Sequence, residues 1–314
     1  MANFQTSADL RQTSVGPMEP RPTGKPPWLK VKLPTQRDFF LVADLLKKSR
    51  LHTICQSAKC PNISECWSAR TATFLILGDT CTRRCAFCAV RKGNPTAPSP
   101  DEPVQVAEAV LSMELDYAVI TSVTRDDLAD GGSSLFGQTV KEIRARRPQA
   151  WIELLIPDFQ GDEGALAGVV RSGPDVVNHN IETAAACYPM INRPSGNYGR
   201  SLAVLKKAKE LGALTKSGLM VGLGESEEEI RDTLVDLKSA GVRLLTVGQY
   251  LRPGRDHPPV ARYYTPQEFE EIKRRALDMG FEGVESGPLV RSSYQARRMF
   301  VSLQKGGITS PCVT

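Results

Sequence analysis

Six of the eight cysteines in this chain fall into two tight groups, Cys55, Cys60 and Cys66 followed by Cys81, Cys85 and Cys88, all within 34 residues. Two three-thiolate metal sites are the first inference, and any fold of this chain has to accommodate both. The second group, CTRRCAFC, has the spacing C-x3-C-x2-C, which puts three soft ligands on one short loop and leaves a fourth position unfilled by sequence neighbours. Soft thiolates select zinc, copper or iron-sulfur clusters. Structural zinc closes its tetrahedron with a fourth Cys or His, usually as two CxxC-like pairs, and the sequence shows no such pairing. An iron-sulfur cubane fits better, because an iron without a protein ligand can hold a small chelating molecule. A zinc knuckle is the alternative for the second group taken alone.

At this spacing the chain resembles the radical S-adenosylmethionine (SAM) superfamily. There, three cysteines hold a four-iron four-sulfur cluster, and the amino and carboxylate groups of SAM chelate the open iron. The first group narrows the resemblance. CQSAKCPNISECW reads C-x4-C-x5-C, 14 residues separate Cys66 from Cys81, and the pair of motifs resembles the lipoyl synthases. Matching stretches run over residues 28–296 and include GDTCTRRCAFCAV, TSVTRDDLADGG, VVNHNIET, TKSGLMVGLGES, LLTVGQYLRPGRDHPPVARYYTP and SGPLVRSSYQA. Thr124 and Ala89 depart from the family's habit, each standing where Asp is common, and neither supplies a cluster ligand.

The resemblance implies two 4Fe-4S clusters, a SAM cluster on Cys81, Cys85 and Cys88 and an auxiliary cluster on Cys55, Cys60 and Cys66. A serine of the RSSY motif, here Arg291, Ser292, Ser293 and Tyr294, would complete the auxiliary site; Ser293 takes that role, with Ser292 as the fallback. An alkoxide is a hard ligand on a site otherwise built from soft thiolates, so its bond should be the first to break. That suits a cluster consumed as a sulfur source. Read alone, the two serines would instead be a helix N-cap ahead of YQARRMF.

The implied reaction passes one electron into the SAM cluster and cleaves SAM to methionine and a 5'-deoxyadenosyl radical. Hydrogen is then removed at C6 and C8 of an octanoyl chain amide-linked to a carrier-protein lysine, and two sulfurs are inserted for two SAM consumed. The cofactor supplies the reactivity and the protein supplies placement, so no acid-base residue is assigned. Implied partners are an octanoylated carrier domain (a dehydrogenase-complex acyltransferase subunit or the glycine cleavage H protein), a donor such as ferredoxin or flavodoxin, and a cluster-repair carrier protein. The rivals are another two-cluster radical SAM enzyme, sulfur-inserting or dehydrogenating, and a colourless zinc-stabilised binding module without catalysis.

At 314 residues the chain is long enough for one α/β barrel-sized domain with extensions. Strand candidates are residues 73–78, 117–122, 151–157, 175–180, 214–222 and 244–250, apolar runs without clean alternation, as in parallel strands covered on both faces. Helical patterns separate them, several with an acidic first turn or a terminal glycine. Six βα units predict an α/β fold, a partial (β/α)6 TIM-type barrel over 71–285. It carries a flexible tail at 1–27, an extension with the first cysteine motif at 28–70, and a C-terminal extension with RSSY at 286–314. The two extensions are expected to hold the auxiliary cluster.

Parallel α/β barrels place their sites at the C-terminal ends of the strands. CTRRCAFC follows the first strand, TRDDLADGG the second and Pro157-Asp158-Phe159 the third, while NHNIET ends the fourth. Asn178, Asn180 and Glu182 alternate there and are candidate SAM contacts; the alternative is that they cap the following helix, which Thr183 could do alone. Arg125, Asp126, Asp127 and the pair Gly131 and Gly132 form a loop whose glycines permit close approach to a ligand. VGLGES lacks the spacing of either nucleotide-binding glycine fingerprint. Gly222, Gly224, Gln249, Tyr250 and Arg252 are cofactor contacts or barrel packing.

His179, on the opposite strand face from its neighbours, is expected to be packed, and none of His52, His179 and His257 is a metal candidate. Cys187 reads as a small buried residue and Cys312 as an exposed one. Thiolate clusters call for a reducing cytoplasm. Residues 1–27 lack the apolar core of a secretory signal, and their acidic residues argue against a transit peptide. No stretch approaches the roughly 20 apolar residues needed to span a bilayer. A formal charge of +5 and a pI near 8.7 give no support for nucleic-acid binding. A basic rim could draw an acidic carrier domain, in which case carrier binding should weaken with salt.

Overall fold

The computed structural model describes residues 24–31, 33–194 and 196–305, so most of the expected tail and Cys312 lie outside the described residues. Among the described residues a 3-10 turn (Pro27–Leu29) precedes α1 (Arg37–Lys48), β1 (His52–Thr53), α2 (Ile54–Ser57) and α3 (Ile63–Ser68). Then come β2 (Thr73–Ile76) and the short pair β3 (Thr80–Cys81) and β4 (Arg91–Lys92). The alternating body follows: α4 (Glu102–Ser112), β5 (Tyr117–Ser122), α5 (Ser133–Arg146), β6 (Trp151–Leu155), α6 (Glu163–Arg171) and β7 (Val176–Asn178). It continues with α7 (Gly196–Glu210), β8 (Thr215–Val221), α8 (Glu227–Ser239), β9 (Leu244–Gln249), α9 (Pro266–Asp278), β10 (Gly283–Gly287) and α10 (Ala296–Gln304).

The eight-stranded sheet runs β1-β2-β5-β6-β7-β8-β9-β10. From β2 onward every pairing is parallel and sequential, and β1 joins β2 antiparallel. This is the curved, incomplete barrel expected from six βα units, with a seventh parallel strand added. That strand, β10, reads GVESG and has one apolar side chain beside two glycines and two polar residues, so its sequence carries little strand signal. It forms because β9 offers it a five-residue ladder. Three expected strands also end two residues early, at Ile76, Leu155 and Asn178, where the chain leaves the ladder for the loops above it.

The strands are buried on both faces, as their apolar runs require: Phe74, Ile76, Ala118, Ile120, Ile152 and Leu154 are all fully enclosed. The N-terminal extension has no core of its own. Val42, Leu46, Cys55 and Trp67 belong to the same apolar cluster as β2 and α4, and the Phe39 and Trp67 rings lie 5.3 Å apart.

The opposite end of the barrel is closed by α10. Its Phe300 packs on Tyr117 and Trp151, with ring centroids 5.7 and 5.3 Å away, and Met299 joins Val176 and Leu244 in that cluster. Tyr117, Trp151, Val176 and Leu244 open their strands, so α10 seals the N-terminal end. Inside the barrel, Lys216 Nζ lies 2.9 and 3.0 Å from the Glu153 carboxylate, which also accepts from Tyr117 Oη (2.7 Å) and Asn178 Nδ2 (2.8 Å). No helix among the described residues is long and apolar enough to cross a membrane.

Candidate active site

Both cysteine groups open onto one cavity of about 590 Å³ at the C-terminal ends of the strands. Cys81, Cys85 and Cys88 line it from the loop after β2; Cys55, Cys60 and Ser293 line it from the extensions. A recess of about 20 Å³ lies among Cys55, Cys60, Cys66 and Ser293.

The CTRRCAFC loop is pinned on several sides. Thr82 N–H donates to Thr124 O (3.1 Å), Ala86 N–H to Ile191 O (2.8 Å) and Asn192 Nδ2 to Arg84 O (2.9 Å). Arg83 makes a two-pronged contact with Asp126 (2.7 and 2.8 Å) and reaches Asp158 at 2.6 Å. Burial pushes the Asp158 carboxyl up, but the Arg83 guanidinium overrides it and holds the group at about 2. The loops after β5 and β6 thus fix the three thiols by charge.

The first group rides on two short helices. Thr53 caps α2, its hydroxyl accepting from Gln56 N–H at 3.3 Å, and Cys60 N–H returns to Cys55 O at 2.9 Å, which folds the C-x4-C segment on itself. Ser293 faces this group, and Thr73 Oγ1 donates to its hydroxyl at 2.8 Å. Ser292 points elsewhere, donating to Asn180 Oδ1 at 2.9 Å. Neither serine caps α10: Gln295 precedes that helix at φ 53° with no side-chain cap.

The donor set fits iron-sulfur clusters. Burial pushes Cys66 up to about 12 and Cys88 up to about 11, and raises Cys55 and Cys60. Burial keeps these thiols protonated on their own; an iron bound there would displace the proton, since the thiolate is the metal ligand. Among the described residues no three Cys, His, Asp or Glu side chains converge on a single ion.

The candidate SAM contacts divide. Asn180, Glu182, Gln249, Tyr250 and Arg252 line the cavity. Glu182 sits at φ 71°, a left-handed conformation unfavourable for a non-glycine residue, held by its N–H to Gly218 O (3.1 Å) and by Met220 N–H to its own carbonyl (2.6 Å). Gln249 is largely committed to protein: Nε2 reaches Val221 O, Tyr250 O and Arg262 O, and Oε1 accepts from Tyr264 N–H.

Asn178 does not line the cavity; it lies deeper, in the Glu153 network. Arg125 is 2 % exposed and spent on Asp127 and Leu77 O, and Asp126 serves Arg83. Gly131 and Gly132 make room for protein rather than ligand, since a Cβ would meet Phe159 at 3.0 Å and Leu77 at 2.2 Å. Gly222, with φ 102°, backs onto Gln249 and Arg262 O, and Gly224 onto Met190 and Ala261. Glu225 accepts from the N–H groups of Gly222 (2.5 Å) and Leu223 (2.9 Å) while Ser226 and Glu229 form a capping box, so the VGLGES turn is closed by its own side chains. The turn after Thr183 begins at Ala185 with no side-chain cap.

Two residues of the site carry no signal in the sequence. Arg193, in the turn before α7, donates from Nε to Cys85 Sγ at 3.5 Å and also acts on Glu182, countering the rise that burial imposes on that carboxyl. Thr73, inside an apolar strand, touches Ser293.

His179 is buried between Ile156 O (2.9 Å) and Ser201 Oγ (3.0 Å), and burial lowers it to about 4. Its folded value lies below its unfolded one, so the unfolded chain binds the extra proton. Stability is therefore full above about pH 6.5 and falls as pH drops towards 4, by about 3 kcal/mol for this group. Urea unfolding across that range should show the slope, and His179→Gln should flatten it.

The radical SAM superfamily model matches residues 75–237. The chain is 53% identical to the lipoyl synthase of Rubrobacter xylanophilus over 91% of this chain and 89% of that protein. Those of Chlorobaculum parvum (53%; 89% and 96%) and Koribacter versatilis (47%; 96% and 99%) are similarly alike. Among solved structures, the FeFe-hydrogenase maturase HydG superposes with a TM-score of 0.56 at 14% identity, covering 86% of this chain and 67% of that one. Methylornithine synthase (PylB) does so with 0.50 at 13%, covering 78% and 74%. These two likenesses concern the fold.

Proposed function

The chain belongs to the lipoyl synthase family of radical SAM enzymes, and on that premise we propose that it inserts two sulfur atoms, at C6 and C8, into an octanoyl chain carried on a protein lysine. The observation that supports this most is that Cys81, Cys85 and Cys88 share one cavity with Cys55, Cys60 and Ser293, and Cys66 lies in the adjoining recess. A radical centre and a sulfur source must reach the same carbon chain, and one shared cavity allows it.

Cys81, Cys85 and Cys88 would hold the SAM cluster; Cys55, Cys60, Cys66 and Ser293 would hold the auxiliary one. When bound, these groups supply the electron that cleaves SAM and the sulfur that is inserted, with two SAM used per lipoyl group. The rest falls to the chain. Asn180 and Glu182 would orient SAM from the end of β7, with Arg193 supplying positive charge between Glu182 and Cys85. Apolar wall residues such as Leu155, Leu219, Met220 and Val290 would hold the hydrocarbon and keep water off it. The carrier would be an acyltransferase subunit of a dehydrogenase complex or a glycine cleavage H protein. Ferredoxin or flavodoxin would supply electrons, and a further protein would rebuild the auxiliary cluster.

The test is mass spectrometry of an octanoyl-lysine carrier peptide after anaerobic incubation with reconstituted protein, SAM and a strong reductant. Replacement of two hydrogens by two sulfurs, with 5'-deoxyadenosine formed, is the expected result. SAM cleavage without sulfur insertion would overturn the substrate and leave the superfamily.

A further inference from the structure

The segment Val290–Ser293 lies against the inner faces of β8 and β9, and two glycines make space for it. A Cβ at Gly248 would fall 2.1 Å from Val290 O, and one at Gly218 would fall 2.6 Å from Asn180 Oδ1 and 2.9 Å from Ser292 Oγ. The consecutive serines are tied to different strands. Ser293 is held to β2 through Thr73 (2.8 Å), and Ser292 to the residues after β7 through Asn180 (2.9 Å). Asn180 and Glu182 both stand on the cavity wall. Beyond Ser293 the chain turns sharply, with Tyr294 N–H on Arg291 O (2.8 Å) and Gln295 at φ 53°. Little backbone is left to absorb a shift of Ser292, so its tie settles where Ser293 points.

We infer that Asn180 is a positioning residue for Ser293, acting through Ser292: its side-chain amide oxygen, accepting from Ser292 over the gap at Gly218, holds the serine against the first cysteine group. This rests on the proposed role of Ser293 as a ligand. The tether starts from the wall that would hold SAM, so a molecule settling on Asn180 and Glu182 bears on the same amide that restrains Ser293.

The full-length chain with Cys81, Cys85 and Cys88 replaced by alanine isolates the first site. Its iron loss to excess chelator can be followed by cluster absorbance and by iron content. Ser292→Ala and Asn180→Ala should each speed that loss about fivefold, the effect of one neutral hydrogen bond, and Gly218→Ala should act likewise by wedging the pair apart. Ser292→Thr, which keeps the hydroxyl, should restore the slow rate. The double variant Asn180→Ala with Ser292→Ala should be no faster than either single one, because both remove the same link. Multiplying effects, or unchanged rates in both single variants of a protein holding about four irons, would overturn the tether alone. A background protein that takes up no iron would overturn the two-cluster reading and the tether with it.

Discussion

Alanine at Cys81, Cys85 or Cys88 should abolish SAM cleavage, whereas alanine at Cys55, Cys60 or Cys66 should leave SAM cleavage standing and stop sulfur insertion. Each group would carry one cubane, so either class of variant should lose about four of about eight irons. Activity should fall by several orders of magnitude in both classes, because no group among the described residues can replace a cluster as electron carrier or sulfur donor. Formation of 5'-deoxyadenosine separates the classes: absent in the first, present in the second with no sulfur in the product. If both classes cleaved SAM equally, the division of labour between the two groups would be wrong.

Lys216→Met should be the most damaging single change to stability away from the cavity mouth. It removes the cation from a carboxylate that is itself fully buried, and leaves Tyr117 and Asn178 as the remaining donors to Glu153. Stranding one partner of a buried ion pair costs about 3–5 kcal/mol. Adding Glu153→Gln should recover most of that loss, since a neutral amide of similar size needs no counter-charge. Urea midpoints of the wild type, the single variant and the double variant measure both effects. A single variant within 1 kcal/mol of wild type would show that water or a rearranged side chain reaches Glu153.

Much of the barrel was legible because buried parallel strands write continuous apolar runs, and each of the six expected spans contains an observed strand. The seventh was not, because GVESG borrows its order from β9. The cysteine groups could be read because thiolate spacing along one loop is already a statement about geometry. The surrounding shell could not be read in the same way. Asn178 and Asn180 look alike in NHN, yet β7 ends at Asn178, which turns inward to Glu153, while Asn180 stands at the cavity. Lys216 and Glu153 are 63 positions apart, and Arg193 meets Cys85 across 108. Partnerships of that range come from topology. The glycines of TRDDLADGG and VGLGES signal close approach correctly, but what approaches is Leu77, Phe159 and Gln249.

The helix α10 makes the barrel a vessel with a closed floor. Phe300 and Met299 fill the end where the strands begin, so traffic cannot run through the barrel from one end to the other. On the proposed stoichiometry, two molecules of SAM must arrive and two sets of fragments must leave while a half-finished chain is still attached to its carrier. A carrier seated over the mouth would stand in the way of that exchange. It must therefore sit to one side or lift between the two halves of the reaction, and the order of arrivals becomes a property of the architecture.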